Sequence, residues 1–166
     1  MISRTVTAVL GAPKEEVFAY LAEVDNLPDW ATDFAQELKY EDGQAKVVNG
    51  LGEFYFSIDA DPATGVIDMY AGPTLDQLGL FPTRVVGLPG GKSAYSFTMF
   101  KAPGMPDELF ESQYESLRRE FDNIRARFSA DHANCARLID ADERAGDRVD
   151  AAEREAQPPA RRKDDA

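Results

Sequence analysis

Two charged residues stand inside otherwise apolar runs of this 166-residue chain, Asp68 in VIDMY and Arg84 in PTRVV. A charge withdrawn from water has to be paired or hydrogen-bonded. These side chains therefore either face solvent or serve as the polar groups of an apolar pocket. Around them runs an aromatic set, Trp30, Phe34, Phe54, Phe56, Tyr70, Tyr95, Phe97, Phe110, Tyr114 and Phe121, too bulky for one helix to cover snugly. A packed aromatic core is the plain alternative, since such rings ordinarily dominate cores. If there is a pocket, Trp30, Phe34, Phe56, Tyr70, Tyr95, Phe97, Tyr114 and Phe121 are its expected walls, and Asp68 and Arg84 would orient a ligand's polar end.

Other chemistry is excluded on spacing. Gly87 to Ser93, GLPGGKS, has the letters of a phosphate loop, but the motif needs glycine at position 86, which is Val86. The AYSFTMF that follows has a strand pattern, whereas the loop must open a helix to aim its amides at phosphate. Asp59, Asp61, Gly65 and Asp68 fall short of a calcium loop, for Ala63 occupies a ligand position and no glutamate closes the site. His132 is the single histidine, with no cluster at zinc-ligand spacing. A Ser-His-Asp arrangement would require it to reach a strand serine such as Ser57 or Ser96 from beyond the last helical stripe. Cys135 is the single cysteine, which excludes an internal disulfide framework and fits a reducing compartment; no basic cluster or helix N-terminus activates it. No metal and no cofactor is expected.

The elements that must position the aromatic set follow from periodicity. Met105 to Phe128 carries Phe110, Tyr114, Leu117, Phe121, Ile124 and Phe128 in steps of four and three, one continuous stripe on a helix whose other face is Glu, Asp and Arg. Pro106 suits the first helical position and Asp107 and Glu108 the positive end of the dipole. Upstream, Thr5 to Leu10 alternates as a strand. Pro13 opens a helix through about Ala22, and a second short helix is expected around Asp29 to Phe34, with Trp30 and Phe34 on one face. The period then becomes two: Gln36–Tyr40, Ala45–Val48, Glu53–Ile58, Val66–Tyr70, Thr83–Leu88 and Lys92–Phe100 read as strands, with Leu75–Leu80 an irregular connection. The separators are tight turns, which impose an antiparallel meander, because parallel strands need long crossovers.

With 43% hydrophobic residues the chain can bury one core, here residues 1–130. Residues 131–166, rich in Asp, Glu, Arg and Ala with Pro158-Pro159, are expected to be a charged tail, disordered or partly helical. A net charge of -12 repels phosphate backbones and anionic lipids, so neither nucleic acid nor stable membrane association is expected. The N-terminus lacks signal-peptide character and no stretch approaches a membrane span, which reads as a cytoplasmic protein.

From about residue 3 to 129 the chain carries APKEEVFAYLAEVDNLPDW, GVIDM, PTRVV, GGKSAYSFTMF and PGMPDELFE in that order and spacing. In these it resembles the START-like (SRPBCC) superfamily, in its bacterial polyketide cyclase/dehydrase-like branch. The resemblance implies an α+β helix-grip fold, a curved antiparallel sheet wrapped around a long C-terminal helix, with a hydrophobic cavity between. It also implies a small hydrophobic ligand, lipid-, polyketide- or aromatic-like, and in a minority of relatives cyclisation or dehydration. Enzymatic members usually place His, Arg, Tyr or acidic groups in the cavity. The pocket-forming stretch here has no histidine, so acid–base chemistry would fall to Asp68, Arg84 and tyrosines. An adjacent Arg would hold an Asp ionised rather than poised, which favours a non-enzymatic binding or carrier domain. A cyclase/dehydrase-type enzyme and an interaction module working through its C-terminal extension are the alternatives.

Overall fold

The computed structural model describes residues 1–129; the extension with His132 and Cys135 lies outside the described residues. Eight strands form one antiparallel sheet: β1 (Ser3–Leu10), β2 (Glu37–Glu41), β3 (Gln44–Asn49), β4 (Gly52–Asp61), β5 (Val66–Gly72), β6 (Gly79–Phe81), β7 (Thr83–Leu88) and β8 (Lys92–Phe100). Their order across the sheet is β1-β8-β7-β5-β4-β3-β2, with β6 also paired to β5. Helices α1 (Lys14–Leu21) and α2 (Leu27–Trp30), joined by a tight helical turn at Val24–Asn26, connect β1 to β2. The long helix α3 (Asp107–Arg127), about 32 Å at 1.5 Å per residue, closes the described chain. The fold class expected from the sequence is the one observed.

Turn chemistry sets the register. Gly65 has a φ of 78°, and a Cβ there would stand 2.1 Å from the Val85 carbonyl oxygen, so only glycine fits where β5 begins beside β7. Its own carbonyl accepts the Val85 amide at 2.8 Å. Two elements differ from the sequence reading. The stretch ending at Leu80 is irregular only at first, because Gly79–Phe81 pairs with Ala71–Met69 before Pro82 interrupts the strand. Helix α2 ends at Trp30, and Phe34 follows in a turn closed by the Ala35 amide on the Ala31 carbonyl at 2.7 Å.

One face of the sheet packs on α3. Alternation places Val6, Ala8 and Leu10 of β1, Ile67 and Met69 of β5, Val85 of β7 and Tyr95 and Met99 of β8 on that buried face. From α3 it meets Phe110, Leu117, Phe121 and Ile124. Tyr95 and Phe121 are both fully buried and stack with ring centroids 5.3 Å apart.

Candidate functional site

The core does not fill the space between sheet and helix. A cavity of about 330 Å³ remains, within the usual range for small-molecule sites of roughly 300–1,000 Å³. Its floor is Phe56, Met69, Ala71, Phe97 and Met99 from the sheet, with Phe81 of β6. Its opposite wall is Leu109, Gln113, Ser116, Leu117 and Glu120 of α3, with Ser112. Leu109, Gln113, Ser116 and Glu120 follow steps of four, three and four on a helical stripe just round from the one that fills the core, to which Leu117 belongs. Trp30, Ala31, Asp33 and Phe34 close one end, and Asn49–Leu51 of the β3–β4 hairpin frames it. Phe34 lies against Phe56 at 6.0 Å and Phe81 against Phe97 at 5.8 Å, two tilted aromatic pairs lining the space.

The segment 30–34 is fixed to α3 by side chains one helical turn apart. Asn123 Nδ2 donates to the Trp30 carbonyl at 2.9 Å. Arg119 pairs with Asp33 at 2.7 Å, and the Ser116 hydroxyl donates to the same carboxylate. Both partners hold the Asp33 carboxyl below its ordinary range, Ser116 more strongly. From the other side, Asn49 Nδ2 donates to the Phe34 carbonyl at 2.8 Å.

At the centre of this clamp is Glu120, 4% exposed. Its Oε1 accepts the backbone amides of Asp33 at 3.0 Å and Phe34 at 2.8 Å. Oε2 has no hydrogen-bond partner among the described residues, and the residue lines the cavity. Burial pushes this carboxyl up to about 7; the Phe34 and Asp33 amides pull it down, the Asp33 carboxylate raises it and Arg119 lowers it. Burial is the largest of these effects, because the two amide bonds satisfy only one of the carboxyl's oxygens. When the group is protonated, the amides on Oε1 leave Oε2 as the natural seat of the proton. A carboxyl poised near neutrality can give or take a proton at that position.

The structure divides the residues singled out in the sequence. Trp30, Phe34, Phe56 and Phe97 line the cavity together. Phe121 and Tyr95 are core, packed under the cavity on each other rather than open to it. Burial holds the Tyr95 phenol above its ordinary value; the neighbouring Thr83 hydroxyl, which would lower it, donates instead to the Ile67 carbonyl. Tyr114 is half-buried beside the Arg4 guanidinium, 6.0 Å from its ring centroid.

Six of the ten expected site residues thus stand off the cavity: Tyr95, Phe121 and Tyr114, and also Asp68, Tyr70 and Arg84 on the sheet's outer side. Asp68 and Tyr70 alternate with Ile67, Met69 and Ala71, so when the latter face the interior the former point to the outer side of the sheet, opposite Asp59 and Ser57. Arg84, between buried Thr83 and Val85, is likewise on the outer side, where its Nε donates to the Thr64 carbonyl at 3.3 Å. Of the two environments left open for these charges, solvent is the one realised. Glu120 was missed, yet its position three residues after Leu117 and four before Ile124 puts it on the flank of the buried stripe. That spacing is the signal that could have found it.

Among the described residues no group of His, Cys, Asp and Glu is arranged to hold a metal ion, and no helix is long and apolar enough to cross a membrane.

No family model matches this chain, and no curated protein matches it. Solved structures do. An uncharacterized protein from Bacillus thuringiensis superposes with a TM-score of 0.61 at 13% identity, covering 76% of this chain and 98% of its own. A START superfamily protein from Mycobacterium smegmatis superposes with a TM-score of 0.54 at 15% identity, covering 76% and 96%. This is a START-like fold. The Zhui aromatase/cyclase from Streptomyces sp. R1128 superposes with a TM-score of 0.56 at 20% identity and covers 83% of this chain and 95% of its own. The helix grip, its sheet and its long C-terminal helix are what this chain shares with them.

Proposed function

We propose that the protein binds a small hydrophobic molecule in the cavity between α3 and the sheet, with the molecule's single polar end against Glu120. The observation that carries this reading is the wall composition: apolar and aromatic side chains from four strands and two helices surround a space with few polar groups, among them the buried carboxyl of Glu120 and the unpartnered Nε1 of Trp30. An apolar cavity with few convergent polar groups is the usual form of a small-molecule site. The polar role assigned from sequence to Asp68 and Arg84 passes to Glu120. Native mass spectrometry of the full chain from its own host tests the reading. A stoichiometric small-molecule adduct, released on denaturation, is expected, and an adduct undiminished when Ala71→Phe fills the cavity would contradict it.

A second reading, an enzyme of the polyketide cyclase/dehydrase type, is favoured by one observation, the buried carboxyl of Glu120 on the cavity wall, which burial pushes up to about 7. Such a group suits proton transfer to or from an enolisable carbonyl compound. Turnover separates the two: an enzyme releases altered product, and a carrier returns its ligand unchanged.

A further inference from the structure

The charges around the cavity are one-sided. Its walls hold two carboxylates, Asp33 and Glu120, and no Lys, Arg or His. Asp33 is engaged at the rim by Arg119 and Ser116. Asn49 is committed as well, donating to the Phe34 carbonyl and accepting the Leu51 amide at 2.9 Å. Arg118, the next cation along α3, pairs with Glu115 at 3.1 Å. The unpartnered Nε1 of Trp30 is a neutral donor, so a carboxylate, sulfonate or phosphate drawn into this space would still meet no counter-charge and would lie in a cavity lined by Glu120, where low dielectric strengthens the repulsion. A cation would meet the opposite situation. Glu120 Oε1 is satisfied by two amides and Oε2 is free, so a donor placed in the cavity completes the carboxylate's hydrogen bonding.

Resting on the binding reading above, the geometry points to an apolar molecule bearing a protonated amine as the ligand class, held by Glu120 Oε2, with anionic molecules of the same body rejected. A charged donor is favoured over a neutral hydroxyl because a charge-assisted hydrogen bond is about twice as strong as a neutral one. The apolar floor of Phe56, Met69 and Phe97 would take the body of the molecule.

The test is competition against the neutral fluorescent probe N-phenylnaphthylamine on the full chain at about pH 8, where a Glu120 carboxyl raised to about 7 is mostly ionised. Naphthylmethylamine and naphthylacetate, similar in body and opposite in charge, are the competitors. Naphthylmethylamine should displace the probe at roughly tenfold lower concentration or better, the factor expected of one charge-assisted contact. Glu120→Gln keeps an oxygen for the Asp33 and Phe34 amides and should erase that preference, whereas Arg84→Ala, on the outer face of the sheet, should leave it intact. Equal competition by the two in the wild-type protein overturns the inference without any variant, as does a preference that survives Glu120→Gln. Failure of the neutral probe to bind at all overturns instead the cavity-binding reading, and the inference with it.

Discussion

Glu120 Oε1 accepts the Phe34 amide at 2.8 Å across 86 residues of sequence. With the Asp33 amide on the same oxygen, this bond ties the second half of α3 to the turn after α2. It also leaves a carboxyl in a place where ionisation is costly, and stability should report that cost.

The raised carboxyl fixes the sign of a pH dependence. Unfolded, Glu120 ionises near 4.5; folded, near 7. Between those values the folded state binds more protons than the unfolded one, so this group's contribution to stability falls as pH rises through the window and is level above it. The groups beside it are Asp33 and Arg119, which are paired with each other, and the sheet strands lining the cavity bring no titratable side chain to it. A shift of this size corresponds to about 3 kcal/mol at most. Urea unfolding at about pH 5 and pH 8 should therefore show wild type losing on the order of 2–3 kcal/mol relative to Glu120→Gln. Parallel pH profiles for the two proteins would contradict the assignment.

The stacked pair beneath the cavity is structural. Phe121 is fully buried against Tyr95, and Phe121→Ala should cost ~3–5 kcal/mol, as large-to-small core changes of this kind do. Thermal or urea unfolding measures it, and a loss below about 1 kcal/mol would contradict the packing described.

The outer-face charges should be silent in binding. Arg84→Ala and Asp68→Asn should leave apolar-probe affinity within about twofold and stability within about 1 kcal/mol. Asp68→Asn should tend towards gain, since Asp68 stands directly opposite Asp59 and like charges across a strand pair repel. A tenfold loss of affinity in either variant would return that residue to the site.

Gly65→Ala combines a left-handed backbone with a Cβ pressed onto the Val85 carbonyl. It should destabilise by more than about 1 kcal/mol. An unchanged unfolding midpoint would contradict the close approach of β5 and β7.

Much of the fold was legible in residue periodicity. The i, i+4, i+7 stripe from Phe110 to Phe128 placed α3, and the two-residue period with tight turns placed the meander. Trp30, Phe34, Phe56 and Phe97 were found because large rings gather where apolar surface does. The sequence leaves the side of Asp68 and Arg84 open, and that of Tyr70 with them, because alternation separates the two faces of a strand without labelling the inner one. The apolar partners Ile67, Met69 and Ala71 supplied that label once the sheet was seen to close on α3. Glu120 was hidden by its neighbours: in LRREFDN an acid among charges looks like a solvated face, and only tertiary packing of segment 30–34 buries it. The β6 pairing was hidden for a similar reason, being made by β5 rather than by any pattern in GLF itself.

The most direct test of the central claim is a fluorescence titration of the full chain with N-phenylnaphthylamine, run beside Ala71→Phe. Ala71 lines the cavity floor, and a phenyl ring there occupies the space a ligand would take. The account predicts saturable one-site binding to the wild-type protein, and loss of that binding in an Ala71→Phe variant that unfolds as cooperatively as the parent. Absence of saturable binding, or equal binding by the filled variant, would contradict it.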